Sequence, residues 1–117
     1  MDEYTTIRTL LDEMIAKQLI FIVEGKKDRI ALQQLGVDNT ILLDTHYKLI
    51  ERVMNEKEVV VLVDLDKEGQ KIYERLKRDL PQRGVKMNDK LWQFLFSTQL
   101  RHIEGLDTYM DRLKKDI

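Results

Sequence analysis

Two short apolar runs, Leu19-Ile20-Phe21-Ile22-Val23 and Val59-Val60-Val61-Leu62-Val63, constrain this chain more than any other feature. Both are continuous rather than alternating, rich in branched side chains, and too short to stand as independent helices. A strand with one solvated face alternates apolar and polar residues, whereas a strand covered on both faces does not. The runs therefore predict two central strands of a sheet with helices on either side. An all-helical bundle would have to bury both runs as helix, against their length and their branching.

The intervening segments supply those helices. Tyr4, Ile7, Leu10, Leu11, Met14 and Ile15 recur at i, i+3, i+4 spacing and predict an amphipathic helix over residues 2–17. Lys27 to Leu35 returns to helical spacing, closed by Gly36 at the position after the C-cap. Thr40 to Leu43 reads as a short strand, Asp44-Thr45 as a helix cap, and Tyr47 to Asn55 as a helix. A further helix runs from about Lys67 to Leu80, where Pro81 stops it. Gln82 to Asp89 reads as a polar loop and Leu91 to Phe96 as a fourth strand, with Trp92, Phe94 and Phe96 at strand spacing and assigned to core packing. Residues from Leu106 to Lys115 close the chain as a helix. The expected fold class is α/β: a single domain over 1–117 with an approximately four-stranded, mainly parallel sheet between helices.

Composition narrows the function classes. Cysteine is absent from the 117 residues, which removes disulfides and thiolate metal sites. No apolar run approaches the roughly 20 residues that span a bilayer, and Met1-Asp2-Glu3-Tyr4 is neither a basic leader nor a signal core. The default expectation is a cytoplasmic protein with no membrane partner. Twenty Lys and Arg against twenty-one Asp and Glu give a net charge of −1, unlike a strongly basic nucleic-acid-binding domain. A phosphate-bearing partner would have to be met by locally placed cations or by bound metal.

Ligands of open α/β sheets bind beyond the carboxyl ends of the strands, where the strand order reverses. Glu24 directly follows the first apolar run, and Asp64 and Asp66 follow the second. If those strands are neighbours, the three carboxylates converge. In Asp64-Leu65-Asp66, residues two apart on extended backbone face the same side, so two hard oxygen donors can meet one small cation while Leu65 turns inward. Glu24 could share that metal or stay free as a general acid or base. Taken singly, Asp66 also fits a helix cap, Asp64 a solvated strand end, and Glu24-Gly25 an ordinary turn.

These segments resemble the Toprim domain family, shared by topoisomerases, bacterial primases, ribosomal RNA maturases and some repair proteins. Val23-Glu24-Gly25-Lys26-Lys27-Asp28 is similar to its first motif, and Asp64-Leu65-Asp66-Lys67-Glu68-Gly69 to its second, about forty residues on. The resemblance covers roughly residues 18–105 and is greatest to small stand-alone Toprim proteins related to the primase and maturase versions. It implies Glu24 as general acid or base and Asp64 and Asp66 as Mg²⁺ ligands, with Mn²⁺ as a substitute. Glu68 is a weaker candidate ligand, and Gln70 stands where many members carry a second glutamate. It also implies a nucleic-acid substrate, RNA or DNA, bound weakly by the chain alone.

Gly25 either lets backbone approach a phosphate or relieves a tight turn. Lys26 and Lys27 sit at a helix start, a favourable place for an anion, and Lys67 adjoins the aspartate pair. Asp28 matches the first motif and equally suits a first-turn acid. Arg101 and His102, in the segment expected to follow the fourth strand, are candidates for phosphate binding or proton transfer. The leading expectation is Mg²⁺-dependent phosphodiester chemistry on nucleic acid, as nuclease, nucleotidyl transferase or primase-like catalyst. The alternative is a non-catalytic Toprim-type binding or scaffold module acting with a protein partner. A receiver-like phospho-acceptor domain would place its acidic pair after the first strand and a single aspartate after the third, the reverse of this chain.

Overall fold

The computed structural model describes residues 2–116; Met1 and Ile117 lie outside them. Strand β1 (Ile20–Val23) lies between β2 (Thr40–Leu42) and β3 (Glu58–Val61), and β4 (Lys86–Asn88) completes the order β2-β1-β3-β4. All pairings are parallel, with Phe21 opposite Thr40 on one side and Val60 on the other. The two apolar runs are thus the central strands. Phe21, Ile22, Val23 and Val59 to Val63 are all buried, as two covered faces require.

Chain direction across the sheet decides where the helices go. From β1 the chain moves outward through α2 (Lys26–Gln34) to β2, then reverses through α3 (His46–Val53) to β3 and continues through α4 (Lys67–Asp79) to β4. Right-handed crossovers place α2 on one face and α3 and α4 on the other. A 2.6 Å contact between His46 Nε2 and an Asp79 carboxylate oxygen joins α3 to α4. On the opposite face α1 (Glu3–Ala16) packs against α5 (Lys90–Leu95) and α6 (Leu106–Lys115), and α6 also meets α2. Helix α1 buries Ile7, Leu11 and Met14, and the Asp2 side chain caps it by accepting the Thr5 N–H at 2.7 Å. Helix α2 ends at Gly36, whose φ of 91° carries the chain out of the helix.

The fourth strand departs from the sequence reading. Leu91 to Leu95 is helical with Phe96 as the C-cap, and the strand is the polar segment Lys86-Met87-Asn88 that reads as loop. In six residues the apolar positions 91, 92, 94, 95 and 96 fit either period, and burial of Leu91, Trp92 and Leu95 selects the helix. An edge strand has one sheet neighbour and needs no apolar run. Asn88 is buried, yet its amide donates to Glu58 Oε2 at 2.9 Å and its carbonyl oxygen accepts the Lys90 N–H at 3.2 Å, which ties β4 to β3 and starts α5. The aromatic side chains nonetheless pack as expected for Trp92, whose ring is buried and stacks on Tyr73 with centroids 3.9 Å apart.

Trp92 also donates its indole N–H to the Val63 carbonyl oxygen at 3.0 Å, fixing α5 to the end of β3. Phenylalanine keeps most of the packing but strands that buried carbonyl. Trp92→Phe should lower the unfolding free energy by about 2 kcal/mol, read from the urea midpoint at unchanged slope.

Candidate metal centre

The strand order reverses between β1 and β3, and the carboxyl ends of those two strands carry Glu24 and Asp64. Glu24 Oε2 accepts the backbone N–H of Asp64 at 2.7 Å, so the first-strand acid grips the backbone of the third-strand segment. The expectation that the acidic residues share one edge therefore holds in the geometry.

Each acid has one oxygen held by backbone. Asp64 Oδ1 accepts the Ile103 N–H at 2.8 Å, and Asp66 Oδ1 accepts the Gly69 N–H at 2.8 Å as the cap of α4. This leaves Asp64 Oδ2, Asp66 Oδ2 and the second oxygen of Glu24 without backbone donors. The first two both lie near His102, whose Nδ1 is 3.4 Å from Asp64 Oδ2 and 3.8 Å from Asp66 Oδ2. Ligand atoms of Asp64, Asp66 and His102 all fall within 4.8 Å of one another, a spacing that suits a single cation. Carboxylate oxygens oriented by fixed N–H donors beside an imidazole nitrogen form a ligand set that suits a divalent metal ion.

Two close packings create this geometry. A β-carbon at Gly69 would lie 1.8 Å from the Asp64 carbonyl oxygen, so α4 can start this near the β3 end only because residue 69 has none. On the other flank, the loop after α5 is stitched to the motif: Leu65 N–H donates to the Arg101 carbonyl at 2.8 Å, beside the Ile103–Asp64 bond. The short 3-10 turn Ile103–Gly105 then packs against α2.

The remaining candidates divide. Asp28 is buried and accepts the Gly25 N–H at 3.0 Å, which makes it the brace of the first-motif turn. Gly25 has φ −151° and open space around the position of an absent β-carbon, so the tight-turn explanation of this glycine fails. Lys26 and Lys67 are exposed at the first positions of α2 and α4. Glu68 is exposed and pairs with Lys71 at 3.4 Å, outside the Asp64–Asp66–His102 group. Arg101 is exposed, but its Nη1 donates to the carbonyls of Thr98 and Leu100 at 2.9 and 2.6 Å. The segment carrying Arg101 and His102 follows a helix rather than the expected strand, yet it reaches the same edge. Sequence reasoning gave His102 no place among metal ligands.

Burial pushes the Glu24 carboxyl up from its ordinary value of 4.5; nearby Asp64, Asp66 and Asp28 add to this, while the Asp64 N–H partly opposes it. Burial likewise raises Asp28, against the Gly25 N–H.

The sequence model of the Toprim-like family matches residues 21–94, from within β1 to within α5. The chain belongs to the Toprim-like family. It is 30% identical over 105 residues to a UPF0292 protein of Methanocaldococcus jannaschii, covering 83% of this chain and 82% of that one. A UPF0292 protein of Methanosarcina barkeri is 32% identical over 114 residues, covering 89% of this chain and 78% of that one. A solved structure of a protein from Aquifex aeolicus superposes with a TM-score of 0.77 at 25% identity, over 86% of this chain and 95% of that one. The Toprim-like family is one capable of metal-dependent work on nucleic acids, and its domains bind divalent metals. Among the described residues, no helix is long and apolar enough to cross a membrane.

Gly69→Ala drives a methyl group into the Asp64 peptide and should cost about 3 kcal/mol or more in chemical denaturation. A second expectation concerns pH. The folded chain holds the Glu24 proton to higher pH than the unfolded chain does, so Glu24 weakens stability as pH rises from its ordinary value through its raised one. Glutamine keeps an acceptor for the Asp64 N–H and carries no charge. In chelator, the melting temperature of Glu24→Gln should therefore gain on wild type as pH rises from about 4, then level off once wild-type Glu24 is ionised.

Proposed function

We propose that this chain performs Mg²⁺-dependent phosphodiester chemistry on nucleic acid. One observation carries the reading: Glu24, Asp64 and Asp66 stand at the topological switch point, each with one oxygen held by a backbone N–H, and ligand atoms of Asp64 and Asp66 fall within 4.8 Å of each other. Asp64 Oδ2 and Asp66 Oδ2 would hold the metal, and His102 stands within reach of both. When bound, such an ion stabilises charge on phosphate oxygens and acidifies a coordinated water.

The chain's own groups supply the rest. Glu24 is anchored through Oε2, which leaves its other oxygen free to take or give a proton at the reacting phosphate. Its raised pKa moves it toward the range where proton transfer is effective. Gly25 leaves open space above the first-motif turn, and neither φ nor packing within the chain demands a glycine there, so a phosphate can approach its backbone. Lys26 and Lys67, at the first positions of two helices, add charge for the same phosphate. Arg101, with Nη1 committed to its own loop, positions His102.

The test pairs activity with metal binding. Labelled single-stranded and duplex RNA and DNA are incubated with Mg²⁺ or Mn²⁺, and products are resolved by length, which separates cleavage from extension. Glu24→Gln should reduce turnover by about 10²–10⁴-fold with metal binding retained. Asp64→Asn keeps its acceptor for Ile103 yet should weaken metal binding by at least about tenfold in a nuclear magnetic resonance titration. A wild-type protein that binds no metal at Asp64 and Asp66 sinks the reading, and one that binds metal but turns nothing over is a binding module instead.

A further inference from the structure

An open groove of about 810 Å³ runs along α4 where α5 closes against it. Its rim carries Lys67, Lys71, Arg75 and Lys77 against one acid, Glu74, in a chain whose net charge is −1. Lys67, Lys71 and Arg75 are four residues apart, so they rise along one helix face at about 6 Å per step. That is the scale on which successive phosphates of one nucleic-acid strand recur. Lys67 and Arg75 enter no ion pair among the described residues, and Lys71 has only the exposed Glu68 at 3.4 Å.

The floor has a different chemistry. Tyr73 and Trp92 are buried and stack beneath it, and the half-buried Phe96 meets Trp92 edge-on with centroids 4.6 Å apart. Lys77 Nζ sits 5.8 Å from the centre of the Tyr73 ring. Tyr73 is also locked by hydrogen bonds to Asp89 and from Gln93, so the floor is rigid. Phe96 is half-buried and presents its remaining ring surface to the groove. Cations along a rim beside the half-exposed Phe96 ring suit a strand whose phosphates and base faces are both available, which a duplex does not offer. The groove lining reaches Lys67, the first residue of α4, whose N-cap is Asp66.

We propose that this groove is the track for single-stranded nucleic acid, leading one strand along α4 to the Asp64–Asp66 centre. The inference rests on the phosphodiester reading and names its substrate class. An acidic peptide would satisfy the cations but has no use for their phosphate-scale spacing along a helix that starts at Asp66.

The experiment measures binding of fluorescently labelled single-stranded RNA, single-stranded DNA and the matching duplex to the full chain in chelator, by anisotropy across a salt series. Lys71→Glu combined with Arg75→Glu reverses two exposed rim charges; Lys114→Glu combined with Lys115→Glu reverses two exposed charges on α6. Circular dichroism checks that both variants are folded. The rim variant should bind single strands about tenfold more weakly, with a salt slope shallower by about 1.4, two contacts at about 0.7 each. The α6 variant should match wild type, and RNA against DNA decides which strand is preferred. Equal losses in both variants, tighter binding of duplex, no single-strand binding at low salt, or binding of a poly-glutamate peptide in place of the strand would each overturn the proposal. Metal titration at Asp64 and Asp66 is read separately. Metal binding without strand binding removes the groove alone, and strand binding without metal removes the phosphodiester reading while the groove stands.

Discussion

The first turn of α4 rests on the peptide of Asp64, with no room at residue 69 for a β-carbon and 2.8 Å between the Gly69 nitrogen and Asp66 Oδ1. Much of the acidic edge follows from that contact. It brings the α4 start onto the end of β3, turns Asp66 into the cap, and leaves the other oxygen of Asp66 on the side of Asp64. It also starts α4 with Lys67 beside the aspartate pair and lays the helix along the groove. A single missing methyl group thus links local backbone geometry to the placement of charge.

Like charges at close range need some form of compensation. Helix starts and backbone N–H groups provide part of it here: the N–H groups of Asp64, Ile103, Gly69 and Gly25 each hold one oxygen of Glu24, Asp64, Asp66 and Asp28 respectively. Such donors orient a carboxylate and still leave it anionic. At Glu24, burial first and the neighbouring Asp64, Asp66 and Asp28 second still push the carboxyl up against the Asp64 N–H. A cation at the free oxygens of Asp64 and Asp66 would complete the compensation, and the arrangement of fixed and free oxygens is what a metal centre with exchangeable positions requires.

The central strands and acidic edge were legible because each reports a local rule. Strands covered on both faces must be apolar throughout, and acids directly after them must lie at the carboxyl edge. Strand β4 was not legible, since an edge strand held by backbone pairing needs no apolar pattern, and the buried Asn88 is satisfied by a glutamate thirty residues away. The span Leu91 to Phe96 reads as strand because six residues, five of them apolar, are too few to separate a period of two from one of 3.6. His102 reaches the aspartates through hydrogen bonds from Leu65 to Arg101 and from Ile103 to Asp64, so its place depends on tertiary contacts that no periodicity encodes.

Helix α5 also bears on the charge argument. A net charge of −1 speaks against strong nonspecific attraction to nucleic acid, but net charge sets only the long-range field. At contact distance the spacing of cations matters more, because salt screens exposed charges beyond about 10 Å. Helix α4 concentrates lysine and arginine on the face that α5 borders, and α5 packs the buried Trp92 onto Tyr73 of α4 with the half-buried Phe96 at its C-cap beside the groove. An acidic chain can therefore carry a cationic track beside an anionic metal centre. The track would attract phosphates and the centre, without its metal, would repel them, so strand binding and metal binding should be favourably coupled.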